Sequence, residues 1–344
     1  MFGYKLMRAV GVSLLLFFLL VSCDDQKNGN FPFHFEGQTM GTTFNIKVSD
    51  IPENLDNENL KKAIKALLKK INLSMSTYIN DSEISLLNQS KSTQWQEVTP
   101  EFYKVLKAAL SISELSNGAF DITVGPIVNL WGFGIYSKPF SQPDETKIQV
   151  LLNQMGYKHF KLAEYSLEIK KLIPNLYMDL SAIAKGYAVD QVSLLLEEQG
   201  IANYLVEIGG EIKLKGQNLD KKLWRIAIEK PVITDRAIHK VLNISNAAMA
   251  TSGDYRNYYE ENGVRYSHTI DPRTGYPITH NLASVTVVSD SAMIADGLAT
   301  AIMVLGSEKG YEMAKLNKIA ALLIIKTVEG FSEKHTPEFK NYLN

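Results

Sequence analysis

Asp296 and Thr300 stand four residues apart in a run patterned as a helix, so their side chains share one face and both offer oxygen. Hard oxygen donors suit Mg²⁺, which takes few protein ligands and completes its octahedron with water or substrate phosphate. The same pair would also serve as an ordinary solvated helix face. Lys185 lies one turn inside a second predicted helix. There the unpaired N–H groups carry roughly half a positive charge, and a long basic side chain can reach an anion. The corner is an anion site by construction, unless Lys185 is merely solvated and Gly186 a close-packing point. His268, one of six histidines, ends a predicted strand just before the turn Asp271-Pro272-Arg273-Thr274-Gly275. An imidazole of ordinary pKa can take a proton from a hydroxyl near neutral pH, although a loop-edge histidine can equally be a hydrogen-bonded structural group. Asp271 and Arg273 read as residues that lock the turn.

Two strand-to-helix corners must position these groups. In the first, a strand over 176–180 runs through Ser181 as a cap into a helix over 182–199, closed by Gly200. In the second, a strand over 284–288 and the cap cluster Ser289-Asp290-Ser291 lead into a helix over 292–305, closed by Gly306. Around them the alternation of 44–48 predicts a half-buried strand, and the spacing of Leu60, Ile64, Leu67, Leu68 and Ile71 predicts an amphipathic helix over 58–72. A further helix is expected from Pro100 to Leu115, and strands over 204–208, 212–215, 224–229 and 322–325. Helices and strands mix without strict alternation, which points to an α+β class: a single large mixed-sheet domain with flanking helices.

Charge says little about a polyanion partner, because 36 Lys plus Arg oppose 37 Asp plus Glu. With no global field to draw it in, nucleic acid is excluded as the expected partner. The N-terminus is more informative. Lys5 and Arg8 precede an apolar run over 10–21, too short for a span of roughly 20 residues but suited to a signal peptide. Its end, Leu20-Val21-Ser22-Cys23, resembles a bacterial lipobox, and Cys23 is the only cysteine in the chain. Two acyl chains on Cys23 would anchor a soluble domain at a membrane. The expected organisation is therefore a lipoprotein signal peptide over 1–22, a lipidated cysteine and tether over 23–36, and one domain over 37–344. A plain secretory signal with an incidental cysteine is the alternative.

The segments Gln38-Thr39-Met40-Gly41-Thr42, Met75-Ser76-Thr77-Tyr78, Gly118-Ala119-Phe120-Asp121-Ile122-Thr123, Met178-Asp179-Leu180-Ser181-Ala182-Ile183-Ala184-Lys185-Gly186-Tyr187, Glu207-Ile208-Gly209-Gly210-Glu211, Thr251-Ser252-Gly253, His268-Thr269-Ile270-Asp271-Pro272-Arg273-Thr274-Gly275 and Ala295-Asp296-Gly297-Leu298-Ala299-Thr300 follow one another along the chain. In that order they resemble the ApbE family, the FAD:protein FMN transferases. The resemblance runs from Gln38 to about Gly306 and implies an ApbE-like domain. It implies Mg²⁺ held by Asp296, Thr300 and a main-chain oxygen of Ala182. It also implies contacts to FAD from Met40, Tyr78, Ala119, Phe120, Asp121, Asp179, Lys185 and Ile270, with His268 as the proton-transfer residue. Tyr78 would offer its ring face to a planar group, although an aromatic just after a helix is usually core.

The implied activity is Mg²⁺-dependent transfer of FMN from FAD to a serine or threonine hydroxyl, with AMP released. The implied acceptors are proteins carrying an Asp-x-x-Ser/Thr-Gly-Ala-Thr motif in membrane redox complexes, met by a lipid-anchored enzyme on the periplasmic side of the cell envelope. Two rivals use the same residues: a Mg²⁺-dependent FAD pyrophosphatase giving FMN and AMP, and a non-catalytic lipoprotein that only binds FAD.

Overall fold

Alternation along Thr42–Val48 turns Phe44, Ile46 and Val48 to one buried face. This strand pairs antiparallel with Phe33–Thr39 on one side and Tyr204–Ile208 on the other. The structure, a computed structural model, describes residues 31–134, 142–231, 237–254, 258–261 and 264–343. The expected leader, Cys23 and the tether as far as residue 30 lie outside the described residues. Residues 33–36, expected in the tether, instead belong to the edge strand Phe33–Thr39, held on one side by pairing with Thr42–Val48. Just before it, Phe31 stacks on Trp224 with ring centroids 6.2 Å apart.

Eight strands form one sheet in the order Phe33–Thr39, Thr42–Val48, Tyr204–Ile208, Glu211–Lys215, Ala247–Gly253, Leu282–Ser289, Ala320–Thr327, Gly330–His335. The α+β class is as expected. The ladders are antiparallel throughout rather than mixed, and two-residue turns at 40–41, 209–210 and 328–329 close three of them as hairpins.

The described helices are α1 (Asn57–Met75), α2 (Glu83–Gln89), α3 (Pro100–Leu115), α4 (Gly125–Leu130), α5 (Glu145–Leu152), α6 (Ala184–Glu198) and α7 (Ala292–Leu316). Helices cover one sheet face through Ile46, Val206, Val285, Val287 and Leu323. The hairpin of Trp224–Glu229 and Ile238–Ile244 covers the other through Leu214, Met249, Leu322 and Ile324. Among the described residues no helix is long and apolar enough to cross a membrane.

The second corner forms as its sequence predicts. Leu282–Ser289 is buried over its first seven residues, and Ser291 caps α7 by accepting the Ile294 N–H. Gly306 does break the helix, at φ 81°, but a further helical stretch continues to Leu316 beyond the kink. The first corner differs from expectation. Residues 176–180 form no strand of any sheet, and α6 begins at Ala184 rather than 182. Asp179 Oδ1 accepts the Ser181 N–H at 2.8 Å, which bends 181–183 into a turn instead of leaving Ser181 as a cap.

α6 and α7 meet at Gly186, where a Cβ would stand 2.2 Å from the Ala292 carbonyl oxygen and 2.7 Å from Met293 Cα. Neither backbone can retreat without moving its helix. Gly186→Ala should therefore cost about 3 kcal/mol in denaturant unfolding. Gly297→Ala, whose new methyl would clash only with the tip of Ile112, 2.6 Å away, should cost clearly less. Equal losses would show that backbone contact is not what Gly186 protects.

Candidate active site

The two corners converge. Gly186 N–H donates to Asp296 Oδ2 at 3.1 Å, and Lys185 Nζ lies 3.7 Å from the same oxygen and 3.4 Å from Glu211 Oε1. In an unbroken helix the Gly186 amide would go to the Ala182 carbonyl. Asp296 takes it, so among the described residues no main-chain N–H claims Ala182 O. Ala182, Asp296 and Thr300 all border one cavity of about 480 Å³, within the usual range for small-molecule sites. Thr300 Oγ1 is itself 3.4 Å from Ser252 Oγ. No trio of His, Cys, Asp and Glu is close enough to cage a metal among the described residues. A carboxylate, a hydroxyl and an unclaimed carbonyl nevertheless match the donor set of a hard cation that leaves room for substrate oxygens.

Glu211 sharpens this fit. It is 4% exposed, and its Oε2 has no hydrogen-bond partner. Burial, then repulsion from Asp296, pushes its carboxyl up to about 8 against the pull of Lys185. Burial alone would lower Lys185, but Asp296 and Glu211 outweigh it and hold the ammonium above the ordinary lysine range. Two buried carboxylates thus share one ammonium, and a proton or a cation must balance the second. A carboxyl raised on folding contributes stability below its unfolded pKa and loses it as pH rises toward 8. The metal-free protein should therefore lose melting temperature from about pH 5 to pH 8, and Glu211→Gln should flatten that slope. An unchanged slope in the variant would assign the effect elsewhere.

The sequence profile of the ApbE family matches residues 40–323. A Vibrio cholerae protein named FAD:protein FMN transferase is 46% identical over 338 residues, spanning 98% of this chain and all of that one. The chain belongs to the ApbE family. A solved structure of the flavin transferase ApbE from Vibrio cholerae superposes with a TM-score of 0.84 at 46% identity, covering 90% of this chain and 98% of that one. The apo flavinyl transferase ApbE from Pseudomonas stutzeri superposes at 0.83 with 37% identity, covering 90% of this chain and 96% of that one.

In this ApbE-family chain the cavity gathers nearly every residue singled out within the domain. Tyr78, Ala119, Phe120, Asp121, Asp179, Ala182, Lys185, His268, Ile270, Asp296 and Thr300 all line it. Tyr78 is 73% exposed, in the loop between α1 and α2, so it is not core. Ile270 is buried as an apolar wall. Met40 does not line the cavity. It sits at φ 51° on the tip of the first hairpin, in a separate hollow formed by 38–43. The tip still approaches the site: a Cβ on Gly209 would lie 2.8 Å from Thr42 and 3.2 Å from Lys185 Cδ.

Asp121 is placed as expected, but its carboxylate is occupied. Oδ1 accepts the Thr123 N–H at 2.8 Å and the Thr123 hydroxyl at 2.7 Å, and Oδ2 accepts the Tyr157 N–H at 2.7 Å. Burial raises its carboxyl despite these bonds. Its side chain therefore shapes the 119–121 loop. The anion site expected at the helix start is also reduced, since Ala184 N–H goes to the Leu180 carbonyl and Gly186 N–H to Asp296. Lys185 is left as the main basic group there. The turn behaves as read: Arg273 Nε and a terminal guanidinium nitrogen donate to the two Asp271 oxygens at 2.8 and 2.7 Å.

Three residues carry more than sequence reasoning gave them. Glu211 and Ser252 lie in motifs quoted for the family but received no role. Asp190 lies outside any motif, yet it accepts the Ala292 and Met293 N–H groups at 3.0 Å each and pairs with Lys213 at 3.0 Å. It thereby fixes the start of α7 against α6.

Proposed function

We propose that this chain transfers the FMN half of FAD onto a serine or threonine hydroxyl of an acceptor protein and releases AMP. The reading is carried by the convergence of Lys185, Asp296 and Thr300 on a cavity that His268 also lines. Relatives named FAD:protein FMN transferase from Vibrio cholerae and Haemophilus influenzae, both 46% identical, support it.

In this reading the Lys185 ammonium, kept charged by its two carboxylates, faces the diphosphate. Tyr78 and Ile270 border the space for planar rings, and the 119–121 backbone lies alongside. The acceptor hydroxyl oxygen bonds to the FMN-side phosphorus as the bond to AMP breaks, AMP leaving with the electron pair and the hydroxyl proton passing to His268. Positioning and charge stabilisation supply most of the rate in such displacements. Mg²⁺, held by Ala182 O, Asp296 and Thr300, would neutralise charge on the diphosphate.

The test mixes the domain from residue 31 onward with FAD, Mg²⁺ and an acceptor bearing Asp-x-x-Ser/Thr-Gly-Ala-Thr. Flavin fluorescence on the denatured acceptor is the expected result. AMP released at a rate that acceptor does not raise would make the protein a pyrophosphatase, and FAD bound with no AMP would make it a carrier.

The leader and Cys23 support a lipid anchor in the bacterial envelope facing the periplasm, which would hold the enzyme near membrane acceptors at high effective concentration. Cys23→Ser should move the full chain from membrane to soluble fractions. Retention at the membrane would remove the anchor from the proposal.

A further inference from the structure

α2 spans only Glu83–Gln89, yet its two ends are tied to the segments that carry two cavity-lining residues, Tyr78 and Asp179. At its start, Ser82 Oγ donates to the Ser76 carbonyl at 2.7 Å, and Tyr78 N–H donates to Ser76 Oγ at 3.3 Å. The loop carrying Tyr78 is thus fastened to the helix cap. At its other end the Asn88 carboxamide makes a reciprocal pair with Met178, Nδ2 donating to the carbonyl and Oδ1 accepting the N–H, each at 2.8 Å. Those are the two bonds a neighbouring strand would supply, and 176–180 has no strand neighbour. The next amide, Asp179 N–H, donates to the Ile122 carbonyl at 2.7 Å.

A second stitch lies beside the first. Lys171 is fully buried, and its ammonium donates to the carbonyls of Leu87 at 2.9 Å, Pro174 at 3.3 Å and Ser90. The end of α2 is therefore bound to the approach to Asp179 by an amide and by a cation, neither of which lines the cavity.

We propose that Asn88 is a positioning residue for FAD: through α2 it sets Asp179 at a fixed separation from Tyr78, so the dinucleotide meets both residues already in place. Pre-ordering of this kind raises affinity by removing the cost of ordering the segment on binding. The inference rests on the reading that this cavity takes FAD.

A mutant cycle on FAD affinity tests it, measured in the intact folded domain with Mg²⁺ by quenching of flavin fluorescence, without acceptor. Asn88→Ala should weaken FAD about tenfold, and in an Asp179→Ala background the same change should cost less than about twofold, because no side chain remains to be aimed. Asn88→Asp keeps the acceptor for Met178 N–H but loses the donor. It should fall between wild type and Asn88→Ala, and it serves if the alanine variant does not fold. Multiplicative penalties in the double variant would overturn the proposal, as would an Asn88 variant that melts earlier with unchanged FAD affinity. Wild-type protein that binds no FAD would instead sink the underlying reading before any variant is compared.

Discussion

Asp296→Asn should slow the proposed transfer about a thousandfold while leaving the domain folded. The substitution keeps the shape of the side chain and an oxygen able to accept Gly186 N–H, so the start of α6 should survive. What it removes is charge. Lys185 is left with Glu211 as its counter-ion, and the proposed cation seat loses the one carboxylate among its three donors. Single-turnover transfer, with circular dichroism as the check on folding, gives the answer. Added Mg²⁺ should recover part of the rate, because the defect is one of affinity as well as charge placement. A wild-type rate in the variant would remove Asp296 from the site.

His268→Ala should lower the same rate by about 10² to 10⁴, with FAD affinity within about twofold of wild type. His268 follows the strand Val264–Ser267 and lies on the cavity wall near Phe133, whose ring centroid is 6.3 Å away. If it takes the hydroxyl proton, the variant must rely on solvent, so its rate should climb with hydroxide concentration and respond to added imidazole. A variant that loses FAD affinity and transfer in proportion would mark His268 as part of the wall only.

How much of this the sequence could show differs from residue to residue. Asp296 and Thr300 were legible because i,i+4 spacing is local, and the α7 corner because a buried strand, a serine cap and a helix follow in order. The α6 corner was misread at its strand. Its apolar residues are buried as expected, but the partners of its backbone are Asn88 and Ile122, which lie 90 and 57 residues away by number. The helix start differs for a related reason, since the Ile183 and Ala184 amides that a Ser181 cap would have accepted both go to the Leu180 carbonyl. Glu211 opens a strand in which alternation groups it with Lys213 and Lys215 against Ile212 and Leu214, so its burial has meaning only through Lys185 and Asp296. No local pattern reveals that Asp190 caps a helix a hundred residues later.

The exchange at Gly186 also bears on when during folding the protein can become active. The carbonyl of Ala182 is released from its helix because a carboxylate 110 positions beyond Gly186 takes the Gly186 amide. A polypeptide caught part-way through folding, with α6 formed but α7 not yet docked, would close that turn on itself and present no such oxygen. Cation capture should therefore report completed folding, appearing in refolding experiments only with the last cooperative phase and never in fragments that stop short of α7.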